Sequence, residues 1–158
     1  RPDSLPQLYT NRTGKELIDR YLQAKDPYAS CGMLVIDLDF FKNVNDRYGH
    51  LFGDKVLQEF ARMLRTLFRS SDILVRFGGD EFVLCFTNQD DIANIENISM
   101  DIINELYEGY TTADGAMHID VKASIGVAFC PEHTEDVNEL LSFADTAMYF
   151  VKKNGKTN

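Results

Sequence analysis

Two short stretches carry side chains able to do chemistry together. "IDLDFFK" places Asp37 and Asp39 two residues apart, and "RFGGDEFVLCF" places Asp80 and Glu81 directly after Gly78 and Gly79. In a strand, alternate residues share a face, so Asp37 and Asp39 point the same way if the strand runs to its end. If the second stretch is a hairpin paired beside that strand, three or four carboxylates converge. Such a group is too repulsive to stay ionised without a cation. A set made only of oxygens suits Mg2+, which also takes oxygens from substrate phosphates. The alternative is a solvated acidic turn beside a strand-end Asp.

The flanking residues bear on that choice. Gly78 and Gly79 lack Cβ atoms, so a phosphate or a base can lie directly on their backbone. "FFK" follows the acidic strand end and starts a helix. The free amides of Phe40, Phe41 and Lys42 would then cradle an anion, with Lys42 adding charge. Taken alone, Lys42 reads as an exposed helix lysine.

The elements that must position these residues are legible as periodicities. Leu17, Ile18, Tyr21 and Leu22 share one face of a helix over 14–26. "CGMLVIDLD" reads as a buried strand, and "FFKNVNDRYG" as a short helix running into a turn. Val56, Leu57, Phe60, Ala61, Leu64 and Phe68 recur at helical spacing over 54–69, with Asp54 as N-cap. "DILVRF" and "EFVLCF" about Gly78-Gly79-Asp80 form a hairpin. A helix over 90–108 runs through Ile92, Ile95, Ile102, Ile103 and Leu106. "HIDVKASIGVAFC" is one strand, and 136–153 is a closing helix with Leu140, Leu141, Ala144, Met148 and Val151 inward. The order predicts an α+β fold, a mixed sheet with helices packed on it.

Composition bounds the rest. A chain of 158 residues is long enough for one domain with a sizeable core. Its net charge of -9 argues against coating nucleic acid, which needs a basic surface, but not against an anionic small substrate. Cys31, Cys85 and Cys130 lie in apolar strands with no CxxC and read as buried thiols of a reducing compartment. Apolar runs are too short and too charged to span a membrane. The chain begins at Arg1 without a signal-peptide pattern, and the reading is a domain cut from a longer protein.

The blocks "DLDFFKNVNDRYGHLFGDKVL", "RFGGDEF", "SIGVA" and "ADTAMYFVKKNGK" together resemble the GGDEF domain, the diguanylate cyclase family, in family order and over nearly the whole chain. The resemblance implies a palm-like sheet, mainly antiparallel, like that of nucleotidyl cyclases and polymerases, in a single domain over 1–158. It implies condensation of two GTP into cyclic di-GMP with release of pyrophosphate, at the interface of a homodimer. Two Mg2+ ions per site, with Mn2+ as a substitute, would activate the attacking 3′-hydroxyl and neutralise the triphosphate. By position, Asp37, the carbonyl of Leu38, Asp80 and Glu81 resemble the metal ligands. Asp80 and Glu81 likewise resemble the family's catalytic acids, and Asp80 also resembles the proton acceptor.

Asn45 and Asp54 match guanine-reading residues. A carboxylate can accept from guanine N1–H and the exocyclic amine together. Read alone, Asn45 ends the short helix and Asp54 caps the next. His50 aligns with a substrate contact, or is a structural histidine. Lys152 matches a phosphate-binding lysine, and Lys156 stands where the family often has Arg. Arg69 and Asp72 in "RSSD" match an RxxD site at which product inhibits; the alternative is a surface ion pair at a helix end.

The N-terminal segment departs from the family pattern Asp-x-Leu-Thr-Gly-Leu-x-Asn-Arg-Arg. In "DSLPQLYTNR", Asp3, Leu5, Leu8 and Arg12 fit, while Pro6, Gln7, Thr10 and Asn11 do not, and Gly14 falls where an aromatic is common. This segment helps join an upstream regulatory domain to the catalytic one. Two other functions compete with an active cytoplasmic cyclase domain, with or without a membrane anchor elsewhere in the full-length protein. One is a silent receptor for GTP or cyclic di-GMP; the other is a cyclase making a mixed dinucleotide.

Overall fold

The computed structural model describes residues 8–39, 41–67, 69–78, 80–89, 92–111, 114–115, 118–119, 122–130 and 135–154. β2 (Ser30–Asp39) pairs antiparallel with β4 (Glu81–Gln89) on one side and β7 (Lys122–Cys130) on the other. β4 also pairs antiparallel with β3 (Ile73–Arg76), closing the expected hairpin. β1 (Leu8–Thr10) adds parallel to β3, so the sheet order is β1-β3-β4-β2-β7.

Period-two alternation divides the core into two layers. Leu34, Ile36 and Leu38 of β2, with Phe82, Leu84 and Phe86 of β4, face α3 (His50–Thr66) and α4 (Ile92–Tyr107). Met33 and Val35, with Val83 and Cys85, face α1 (Asn11–Ala24) and α5 (Val137–Asn154). Helices therefore cover both faces of a mixed, mostly antiparallel sheet, which is the expected α+β architecture.

Two glycines set how closely helices approach the sheet. A Cβ on Gly14 would lie 2.4 Å from Val75 Cγ2, and one on Gly126 would lie 2.0 Å from the carbonyl oxygen of Ala144. α1 and α5 therefore rest directly on the strands. The three cysteines are free and buried within the α1/α5 layer, with Cys31 opposite Cys130 across β2 and β7. A hydrogen bond with Cys85 and burial push the Cys31 thiol far up, and burial beside Cys31 pushes Cys130 up to about 12. Both remain protonated thiols at neutral pH.

Several expectations need correction. α3 begins at His50, not Asp54. Its N-cap position is Gly49, at φ 91°, where the chain turns sharply enough for the helix to restart at once. Asp54 is thus an exposed residue of the second turn and not an N-cap. Nor does Asn45 end α2 (Phe41–Tyr48); it lies within the last turn, and its carbonyl accepts from Gly49 N–H at 2.8 Å. The strand expected over 118–130 is divided into β6 (His118–Ile119) and β7, and β6 pairs with β5 (Tyr110–Thr111) in a small separate ribbon. Ile103, expected inward, is 38% exposed. Phe68 lies outside the described residues, as do the side chains of Ile92, Leu106 and Val151.

Candidate active site

The β2–β4 register builds the site. Asp37 is paired directly with Glu81, so these carboxylates share the α1/α5 face of the sheet. One residue on, Leu38 N–H donates to the carbonyl of Asp80 at 2.9 Å. That bond holds Asp80 at the sheet's end, beside the residue whose carbonyl the sequence singled out. The carbonyl of Glu81 then accepts from Phe77 N–H at 2.8 Å and closes the turn. Arg76 Nε donates to the carbonyl of Gly78 at 3.2 Å from outside.

Gly78 itself is exposed, and a Cβ there would meet nothing within 4 Å. Its φ is not in the left-handed region. Neither backbone conformation nor packing within the chain requires glycine at this point. The open space over the turn is what a ligand lying on the backbone needs.

Of the three or four carboxylates expected to converge, the side chain of Asp39 lies outside the described residues. Among the described residues no group of three or more carboxylate, histidine or cysteine side chains is placed to hold a metal ion. Asp80 precedes β4, tied by its carbonyl to Leu38, while Glu81 opens the strand. The adjacent pair that remains, Asp37 and Glu81, still fits a hard divalent cation. Mg2+ is commonly held by one or two carboxylates and completes its shell with water and substrate phosphate. Like charges directly opposite across an antiparallel pair also cost stability, which a cation between them relieves.

α2 starts two residues after β2 ends, so the amides of its first turn open beside the acidic strand end. Phe40, Gly79 and Lys156 lie outside the described residues, as do the side chains of Asp39, Phe41, Lys42 and Lys152. α2 and α3 meet at the Gly49 bend, where the rings of Tyr48 and Phe52 lie 5.1 Å apart. Asn45, half-buried, precedes the bend. His50 and Asp54 follow it, both exposed and one turn apart on one face of α3.

The Arg69–Asp72 pair is not an incidental surface contact. Asp72 is only 3% exposed. Its carboxylate accepts from Arg69 N–H at 2.9 Å, from Thr87 N–H at 2.9 Å and from Thr87 Oγ1 at 3.2 Å. Arg69 Nη2 reaches Asp72 Oδ1 at 3.4 Å and also donates to the carbonyl of Thr87. Asp72 thus ties the turn after α3 to β4. The Arg69 side chain is about half exposed (52%).

A feature without any sequence motif completes the geometry. Between α1 and α5 lies a cleft of ≈ 380 Å³, floored by Val35 and Val83 and reaching Glu81. Its helical walls include Lys15, Asn138 and Ser142. Only the packing of two helices distant in sequence reveals them.

The family model for the diguanylate cyclase GGDEF domain matches residues 2–158. The chain belongs to the GGDEF family. This GGDEF domain is 34% identical over 154 residues to cyclic di-GMP phosphodiesterase PdeR of Escherichia coli, covering 98% of the chain and 23% of that protein. It is 34% identical over 155 residues to diguanylate cyclase TpbB of Pseudomonas aeruginosa, covering 98% of the chain and 35% of that protein. It spans about a quarter to a third of these relatives. The solved structure of a TpbB fragment comprising only the GGDEF domain superposes with a TM-score of 0.85 at 35% identity, covering 96% of this chain and 88% of that one. Among the described residues of this GGDEF domain, no helix is long and apolar enough to cross a membrane.

Proposed function

We propose that this GGDEF domain is an active diguanylate cyclase that condenses two GTP into cyclic di-GMP and pyrophosphate. The observation that carries the reading is the pairing of Asp37 with Glu81 beside the open Gly78 turn. Incubation with GTP and Mg2+, followed by detection of cyclic di-GMP and pyrophosphate, tests it.

In this reading residues 1–158 form one catalytic domain of a longer signalling protein, regulated from upstream. Two copies face each other, each holding one GTP. The 3′-hydroxyl of each nucleotide attacks the α-phosphate of the other, and pyrophosphate leaves. Asp37, Asp80, Glu81 and the Leu38 carbonyl would hold Mg2+ or Mn2+, which neutralises the triphosphate and lowers the pKa of the attacking hydroxyl. Asp80 accepts that hydroxyl's proton. Gly78 and Gly79 let the nucleotide approach the backbone. The amides of Phe40, Phe41 and Lys42 and the lysines Lys42, Lys152 and Lys156 bind phosphate oxygens.

Asn45 and Asp54 read guanine across the α2–α3 bend, with His50 beside them. The place of Asp54 in the second turn of α3 favours this role, because capping no longer explains it. Asp54→Ala should lower the preference for GTP over ATP by ~10–100-fold, the scale of ~1–3 kcal/mol for a lost charged hydrogen bond. Because the residue is exposed and caps nothing, its melting temperature should hardly move. Unchanged base preference in competition assays would remove Asp54 from guanine recognition.

Arg69 and Asp72 form the product site, where cyclic di-GMP inhibits without entering the GTP pocket. Asp72 fixes the turn and the half-exposed Arg69 guanidinium supplies the ligand contact. Arg69→Ala should weaken product binding and leave initial rates nearly unchanged, so progress curves stay straight for longer. Parent and variant slowing together, with equal affinity for cyclic di-GMP, would refute feedback at this site.

A second reading has one observation in its favour. A relative matched over 98% of the chain is named a cyclic di-GMP phosphodiesterase, not a cyclase. A silent receptor domain would bind GTP or cyclic di-GMP and give no product in the same incubation.

A further inference from the structure

We propose that Lys15 binds the terminal phosphates of the nucleotide, and the pyrophosphate that leaves, in the cleft between α1 and α5. The assignment rests on the cyclase reading and extends it to a residue outside the signature blocks.

The cleft has the volume of a small-molecule site, an apolar floor and a few convergent polar groups. It is continuous with the catalytic turn, because Phe77 and Glu81 both line it. Glu81 is the cross-strand partner of Asp37, so a phosphate held near that pair has the cleft as its neighbour. Gly14 brings Lys15 there. With no Cβ to meet Val75, α1 lies flat on the sheet, and the next residue projects into the cleft.

Lys15 also differs from the other half-buried cations among the described residues. Lys25 donates to the carbonyls of Asp26 and Ala29, Arg65 to those of Ser70 and Asp72, and Arg76 to that of Gly78. Among the described residues, no hydrogen bond or ion pair engages Lys15, although it is half-buried. An ammonium offers three donors and seeks acceptors. Asn138 and Ser142 on the facing helix add neutral donors to the same space. Asp145, on that wall too, opposes an anion there.

The test is calorimetric titration of the parent, Lys15→Ala, Lys15→Arg and Asp145→Asn with Mg2+-pyrophosphate, GTP and GMP, with folding checked by circular dichroism. Lys15→Ala should weaken pyrophosphate and GTP by about ten-fold, the loss of one charged hydrogen bond, and leave GMP unchanged. Lys15→Arg should restore most of that affinity, and Asp145→Asn should tighten pyrophosphate severalfold. In turnover, Lys15→Ala should raise KM more than it lowers kcat. If the parent binds GTP and Asp54→Ala weakens it, but Lys15→Ala leaves pyrophosphate and GTP within about two-fold of the parent, the Lys15 assignment alone is wrong. Equal weakening of GMP would likewise overturn it, as a general loss of the pocket. A parent that binds no GTP overturns the cyclase reading and this assignment together.

Discussion

Asp37→Asn and Asp80→Asn should each lower the rate of cyclic di-GMP formation by about 10³-fold or more, about 4 kcal/mol of transition-state stabilisation. The two losses have different origins. Asp37 stands opposite Glu81 and, in the proposed site, supplies part of the charge that would hold a cation. In the proposed reaction Asp80 accepts a proton at the end of the same strands. The fold should survive both changes. In the metal-free protein, Asp37→Asn removes one of two like charges facing each other across β2 and β4, so its melting temperature should hold or rise. Product rates with Mg2+ and melting without it separate these effects. Either variant keeping full turnover would take that residue out of the mechanism. A fall in metal-free stability for Asp37→Asn would show that the pair is structural, not repulsive.

Asp72→Ala should be the most damaging of these substitutions to the fold, by about 2–4 kcal/mol. Most of that cost comes from donors left behind. Thr87 is buried at 3% exposure, and its amide and hydroxyl both point at Asp72 Oδ1. The Arg69 amide loses Oδ2 as well. The Arg69 guanidinium adds little, because it is half exposed and 3.4 Å away. At this chain length the loss amounts to a fall of roughly 5–15 °C in melting temperature. Asp72→Asn keeps one acceptor and should fall by less. Thermal melting of both variants checks the order, and an Asp72→Ala protein as stable as its parent would mean that water satisfies the Thr87 amide. Arg69→Ala is therefore the cleaner probe of product binding, since loss at Asp72 mixes recognition with folding.

What the sequence made legible follows from period and length. β2 and β4 are long alternating strands, so their pairing brings Asp37 and Glu81 together as the residues alone suggest. β1 spans three residues and the β5–β6 ribbon two residues on each side, too short for any alternation to register. The start of α3 was hidden because Gly49 replaces a side-chain cap with a backbone bend, and "HLFGD" before Val56 carries no clear apolar stripe. The burial of Asp72 depends on Thr87, fifteen residues away on another element, and no local pattern announces it. The α1–α5 cleft is hidden for the same reason, because its walls come from opposite ends of the chain.

The measurement closest to the central claim is turnover of the purified domain with GTP and Mg2+, following nucleotide by chromatography and pyrophosphate by a coupled assay. The account predicts cyclic di-GMP with two pyrophosphates released for each molecule formed, a rate per protein that rises with protein concentration as copies pair, and loss of both products in Asp80→Asn. Tight binding of GTP or cyclic di-GMP with no pyrophosphate released at any protein concentration would contradict it and leave a receptor domain in its place.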